Sequence, residues 1–463
     1  MRSPLAVSIL IAFALPLVAQ ELPEMESDAP SVSIRDGARF QSMGWRLAPE
    51  LNPDVYEAML ESGRPHRVTF ISGIDSLGFL VEEGRHYDFI IRYNGVPHYT
   101  RIVGTRLVPA ATFDSTYRAR HRGTTRIQIP EVYELVNVVI SLTRTAAANP
   151  GLVYENSAYR ARVRDWFAGF EDHAAVLRID SVLAGNFNMY FTLKMNGYAF
   201  EFDDAGRIVK SPVYDRTGFV NERTNTLEPF IAELQAFSDS SNFRQFYGRN
   251  QGTYLAQIAF YRDSADVAGM LDWLRRNFPE QRPYDAFNIV FSPLVGYNQS
   301  VTWLESNGFS ELQPHVNFPY VRMDSVSEPA VTLMRGNIVF TELNHGFINP
   351  EADRYPERIA AAISNRDLWV DSARGPGYYG GIAAFNEYMN WVLVSLYLAD
   401  RAPPGDLPRL LAAVDRTMIR RGFPRFPELS AFLVELYRNR GERTLADLYP
   451  DIIAWFERRN GAG

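Results

Sequence analysis

The sequence predicts an α+β protein, with a small antiparallel β-sandwich in front of a mostly helical domain that carries a β interlude. Two observations predict it. Up to about Pro130 the apolar residues alternate and turn signals punctuate them, whereas beyond it they recur every three or four residues. Strands followed by runs of helices are the α+β order. The composition agrees: 463 residues, 46% hydrophobic and 22% charged, suffice for more than one packed core.

The first 19 residues read as a signal peptide. Arg2 supplies the positive charge, Leu5 to Ala19 is an apolar run too short to span a bilayer, and Leu17-Val18-Ala19 resembles a cleavage site. The expectation is export, to the periplasm or beyond, with no membrane span after cleavage. Residues 20–31 are polar and acidic and read as a linker. The chain has no cysteine, which removes disulfides, thiolate metal sites and cysteine nucleophiles. A net charge of -7 gives no nucleic-acid footprint. Lys194 and Lys210 are the only lysines beside many arginines; read as a composition bias, this argues against a catalytic lysine.

Residues 32–129 form the β-rich part. Arg67 to Ile71, Leu77 to Val81 and Tyr87 to Tyr93 are strand runs, and Asn94-Gly95 marks a hairpin with His98 to Val103 returning. Residues 130–460 form the second part. Helical spacing covers Val132 to Leu142, Tyr159 to Phe170, Leu227 to Phe237 and Tyr254 to Phe278. The β interlude runs from Ala286 to about Met334, and a helix is expected to start near Asn337. Further helices follow at Pro356 to Ile363, Ile382 to Leu398, Leu407 to Arg420, Glu428 to Tyr437 and Leu445 to Arg458.

One constellation can carry chemistry. Of seven histidines, His345 alone sits in a suggestive context, Phe340-Thr341-Glu342-Leu343-Asn344-His345-Gly346-Phe347-Ile348-Asn349-Pro350. On a helix Glu342 and His345 lie about 60° apart on one face, where a carboxylate and an imidazole can share a metal or a proton. The bland alternative is a histidine placed against the end of a helix, with Glu342 in solvent. A second carboxylate, Glu387, lies on an otherwise apolar helix and needs a partner there. The loop before it is rich in glycine and holds Tyr378 and Tyr379, a candidate rim. No Gly-x-Ser-x-Gly elbow and no phosphate-cradling Gly-x-x-x-x-Gly-Lys occurs.

The stretch from Phe340 to Pro350 resembles the signature of a little-characterised family of secreted bacterial zincin-like proteins, zinc metallopeptidases of the gluzincin kind. Their motif is His-Glu-x-x-His followed by a small residue, an aromatic, a branched aliphatic, Asn and Pro. Glu342, His345 and Gly346 to Pro350 fit it, and Asn386-Glu387 resembles the family's third-ligand Glu. Shorter similar pieces are Tyr133-Glu134-Leu135, Asp165-Trp166-Phe167 with Asp172-His173, Phe291 to Leu294 and Asp447 to Pro450, so the resemblance spans about Pro130 to Phe456.

One departure stands out: the family's first metal-binding His falls on Thr341, whose hydroxyl is a poor zinc ligand. Three readings follow from the resemblance. In an active peptidase, His345 and Glu387 hold zinc, Glu342 is the general base, Tyr378 or Tyr379 stabilises the oxyanion, and an unidentified residue or a second water completes the shell, with His173 and His315 the candidates for a ligand near Thr341. In a degenerate zincin, zinc is weak or absent and the groove binds a peptide or an envelope partner. In a rearranged site, Glu342 joins His345 and Glu387 as a carboxylate-rich metal set.

Overall fold

A computed structural model of the chain describes residues 22–37, 39–48, 52–60, 64–106, 108–219, 222–281, 284–297, 299–375, 378 and 381–460, with backbone only at 39–44. The signal-peptide segment 1–19 and Tyr379 lie outside the described residues. The architecture is α+β, in two compact units, Met1–Val108 and Pro109–Gly463. Among the described residues no helix is long and apolar enough to cross a membrane.

The first unit holds strands β1 (Glu24–Ser27), β2 (Ser31–Asp36), β3 (Arg39–Arg46), β4 (Asp54–Leu60), β5 (His66–Ile71), β6 (Ser76–Val81), β7 (His86–Tyr93) and β8 (Val96–Arg106). They form two four-stranded sheets, ordered β1-β7-β8-β4 and β3-β2-β5-β6. One core joins the two sheets, with Phe70 of β5 and Phe89 of β7 in edge contact at 4.9 Å. The Asn94-Gly95 hairpin forms as expected: both residues take positive φ, 51° and 75°, which matches the twist of the flanking strands. Two features depart from the sequence reading. The edge strands β1 and β4 pair in parallel with β7 and β8. The stretch assigned to a linker at 20–31 contains β1, because alternate residues Met25 and Ser27 turn into the core while Glu24 pairs with Arg92. A strand with a single apolar side chain leaves little trace in an apolar pattern.

The second unit is built on a four-stranded sheet of β9 (Thr125–Gln128), β12 (Ala286–Ser292), β13 (Ser300–Ser306) and β14 (Phe309–Asn317), in the order β13-β14-β12-β9. A short hairpin, β10 (Phe200–Phe202) with β11 (Ile208–Lys210), lies apart from it. Strands β12 and β14 are buried along their whole length, as central strands covered on both faces must be. Because β9 pairs with β12, residues 109–129 belong with this unit, and the division falls at Val108 and Pro109 rather than at 129 and 130.

Most of the expected helices are present, at Glu131–Ser141, Ala158–Trp166, Ile231–Ser241, Pro356–Ala362, Leu407–Arg420, Phe426–Arg438 and Leu445–Asn460. The run expected as one helix from Tyr254 to Phe278 is broken. It ends in a wide turn at Phe260–Ser264 and restarts at Val267, where Asp266 takes φ 53° and its side chain accepts the Gly269 N–H at 3.0 Å. The helix expected near Asn337 begins at Glu328 and runs to Ala352, through Gly346 and Pro350. Pro329 in its first turn suits a helix start, and Gly346 fits because a Cβ there would lie 2.8 Å from the Tyr284 ring and 3.0 Å from Leu312. This helix packs on β14 and on the helix Gly381–Arg401.

Candidate functional site

Two long helices supply most of the site. Glu328–Ala352 carries Thr341, Glu342 and His345, and Gly381–Arg401 carries Glu387 and Asn390. The Asn344 side chain ties them together by donating to the Asn390 carbonyl at 3.0 Å. A cavity of about 950 Å³ runs beside them, and Thr341, Glu342, His345, Tyr378 and Glu387 all line it. These five residues singled out from sequence therefore converge, while Tyr379 lies outside the described residues. The volume lies within the usual range for small-ligand sites.

The histidine and the threonine have partners that define their states. The Nε2 of His345 faces the Asn390 Nδ2 at 2.9 Å, and its Nδ1 faces the Asn349 Oδ1 at 3.3 Å. An amide nitrogen only donates, so with the side-chain amides oriented this way Nε2 is the acceptor and the ring proton sits on Nδ1. The Thr341 hydroxyl donates to the Ile338 carbonyl at 2.8 Å, a bond within its own helix. It lies 3.5 Å from Glu342 Oε1.

Glu387 is buried, and its Oε1 accepts from Trp391 Nε1 at 3.0 Å and from Arg421 Nη2 at 2.6 Å. The same Arg421 nitrogen donates to the Tyr378 hydroxyl at 2.9 Å, and the guanidinium lies over the Trp391 ring, 5.1 Å from its centroid. Burial opposes the charge of Arg421, but Glu387 and Tyr378 outweigh it and raise its pKa. Burial, with the Glu387 charge nearby, pushes the Tyr378 phenol up to about 12, so it remains a hydrogen-bonding hydroxyl at neutral pH.

Behind the cavity wall lies a group that the sequence reading dismissed. Lys194, on the helix Met189–Asn196, is fully buried, with its ammonium nitrogen 4.7 Å from the Tyr190 ring centroid and 5.6 Å from that of Phe191. Burial pushes its pKa down to about 7, and the charge of Glu342 acts the other way. Glu342 itself is raised above the usual carboxylate range, first by burial; Glu387 adds to the rise, while His345, Arg421 and Lys194 oppose it. The only sequence signal for Lys194 is its rarity, one of two lysines in the chain.

Neither candidate substitute ligand reaches Thr341 by a hydrogen bond among the described residues. His173 caps its own helix, its Nδ1 accepting from the Ala175 N–H at 3.2 Å. His315 is buried on β14, where its Nε2 faces Gln313 Oε1 at 3.1 Å and burial holds its pKa well below the ordinary value. Among the described residues no group of three or more His, Asp or Glu side chains is disposed to hold a metal ion. The three donors of the carboxylate-rich reading, Glu342, His345 and Glu387, line one wall, but Glu387 is committed to Arg421 and Trp391. As arranged, with the Arg421 cation against Glu387 Oε1, the described residues present no three-donor set for a metal. Comparison with family models, with characterised proteins and with solved structures returns no match.

Proposed function

We propose that this protein is a zincin-like binding protein, acting after export, in which the groove beside Glu342 and His345 receives a peptide segment of a partner without a metal ion. The observation that carries the reading is the commitment of Glu387 to Arg421. The guanidinium brings a fixed positive charge to the carboxylate that would otherwise serve a metal. The internal bond of the Thr341 hydroxyl supports it, because a bland hydrogen-bonding environment at that position is what a lost ligand leaves behind. The cavity is large enough for a peptide segment, and its wall mixes apolar and hydrogen-bonding side chains, as ligand sites do.

One observation favours a second reading, hydrolysis. Glu342 is buried with a raised pKa, which suits a general base. The test is peptide binding in the presence and absence of a strong chelator. The binding reading expects equal affinity in both and intact peptide recovered at the end. Cleavage that needs added zinc and disappears in Glu342→Gln would establish the peptidase instead.

A further inference from the structure

The groove is unevenly furnished, and the unevenness specifies a ligand. Arg374, Arg420 and Arg421 line one part of its wall. Arg421 is balanced by Glu387, and among the described residues Arg374 pairs only with Asp371, at 3.5 Å. Arg420 is exposed, and among the described residues its one polar contact is the Thr417 hydroxyl at 3.4 Å, with no carboxylate partner. Phe191, Phe219 and Tyr297 line the same cavity. Phe191 and Phe219 have ring centroids 6.0 Å apart, and Tyr297 is 70% exposed. Large apolar side chains left open beside a concave polar wall mark a contact surface. A cavity whose wall holds one guanidinium with no carboxylate partner among the described residues, a second only loosely paired, and open aromatic rings matches a ligand that is anionic at one point and apolar beside it.

We propose that the groove recognises the free C-terminal carboxylate of a peptide whose last residues are large and apolar. Arg420, with Arg374, binds the carboxylate, and the Phe191, Phe219 and Tyr297 rings receive the adjoining side chains. Guanidinium pairs planar carboxylates through two parallel hydrogen bonds, which an amide end cannot replace. The proposal rests on the groove being a peptide site and adds the chemistry of the end it selects.

The experiment uses the mature chain and two fluorescent hexapeptides of one sequence ending in Phe-Phe, one a free acid and one amidated, followed by anisotropy. The free acid should bind about tenfold tighter or more, as expected for charge-assisted pairing. The difference should shrink in Arg420→Gln, and also when ionic strength rises from about 0.05 to about 0.5 M, since the arginine is exposed. Equal affinity for acid and amide would overturn carboxylate recognition and leave the groove reading standing. No binding of either peptide would overturn both. A preference for the acid that persists unchanged in both Arg420→Gln and Arg374→Gln would overturn the assignment to these arginines.

Discussion

Arg421 Nη2 lies 2.6 Å from Glu387 Oε1, and this pair joins two helices at the wall of the candidate groove. Glu387 is 6% exposed at its side chain and Arg421 31%, so the carboxylate depends on the guanidinium far more than the reverse. The pair also aims Tyr378, whose hydroxyl accepts from the same nitrogen. A cation built from the chain therefore sits beside the carboxylate.

Removing one partner strands the other. Arg421→Gln should destabilise the fold by about 2 kcal/mol or more in urea unfolding, toward the low end of the cost of breaking a buried pair because water reaches the arginine. The double variant Arg421→Met with Glu387→Leu should lose less than Glu387-retaining Arg421→Met. If the single variant proves as stable as the wild type, the pair is not what holds these helices together.

The commitment of Glu387 also governs any return of metal binding. Thr341→His places a second imidazole one helical turn before His345, but Glu387 remains held by Arg421. Thr341→His combined with Arg421→Gln frees the carboxylate and supplies a two-histidine, one-glutamate set. After zinc loading and dialysis, elemental analysis should find more retained zinc in the double variant than in the single one. Equal retention would mean that Arg421 does not control the carboxylate.

Lys194 can be observed almost alone. Labelling lysine with 13C at Cε gives two side-chain signals, from Lys194 and Lys210. The Lys194 signal should titrate near pH 7, and in Glu342→Gln its midpoint should fall, because Glu342 supports the ammonium form. The linkage has a definite sign. A lysine whose pKa is depressed by folding contributes stability that is full above its unfolded value and is lost as the pH falls toward about 7. A Lys194 signal that titrates like that of a free lysine would place the ammonium in water.

Glu134 tests the core in the opposite sense. It is fully buried, accepts from the Tyr159 hydroxyl at 2.7 Å, and burial pushes its pKa up to about 8 against the hydrogen bonds from Ser292 and Tyr159. A carboxyl raised by folding contributes stability below its unfolded value that is lost as the pH rises through about 8. Between about pH 5 and pH 9 the wild type should lose on the order of a few kcal/mol relative to Glu134→Gln. Parallel pH profiles for the two proteins would show that Glu134 is not the group responsible.

Much of this arrangement is legible in the residues. Asn94-Gly95 specifies its hairpin by local backbone chemistry alone. Glu342, His345 and Glu387 are legible as a cluster because helical spacing sets two of them on one face and an isolated carboxylate among apolar neighbours demands a partner. That partner, Arg421, is not legible: it caps a helix whose apolar stripe of Leu410, Val414 and Met418 is plain, but its reach to Glu387 is a tertiary fact. Lys194 is hidden for another reason. Its helix is buried nearly all round, through Tyr190, Leu193 and Met195, and so shows no polar face against which a charge would stand out. The helix start at Ser327, which bonds the distant Asp406, and the break at Asp266, a left-handed turn, are not legible because tertiary contacts and turn geometry are not encoded by apolar spacing.

The most direct test of a metal-free groove is the zinc content of the purified protein after zinc loading and exhaustive dialysis, read by elemental mass spectrometry beside a check that the chain is folded. The account predicts far less than stoichiometric zinc, unchanged in Glu342→Gln. Near-stoichiometric zinc that is lost in His345→Ala or Glu387→Gln would contradict it, because the carboxylate assigned to Arg421 would then be holding a metal.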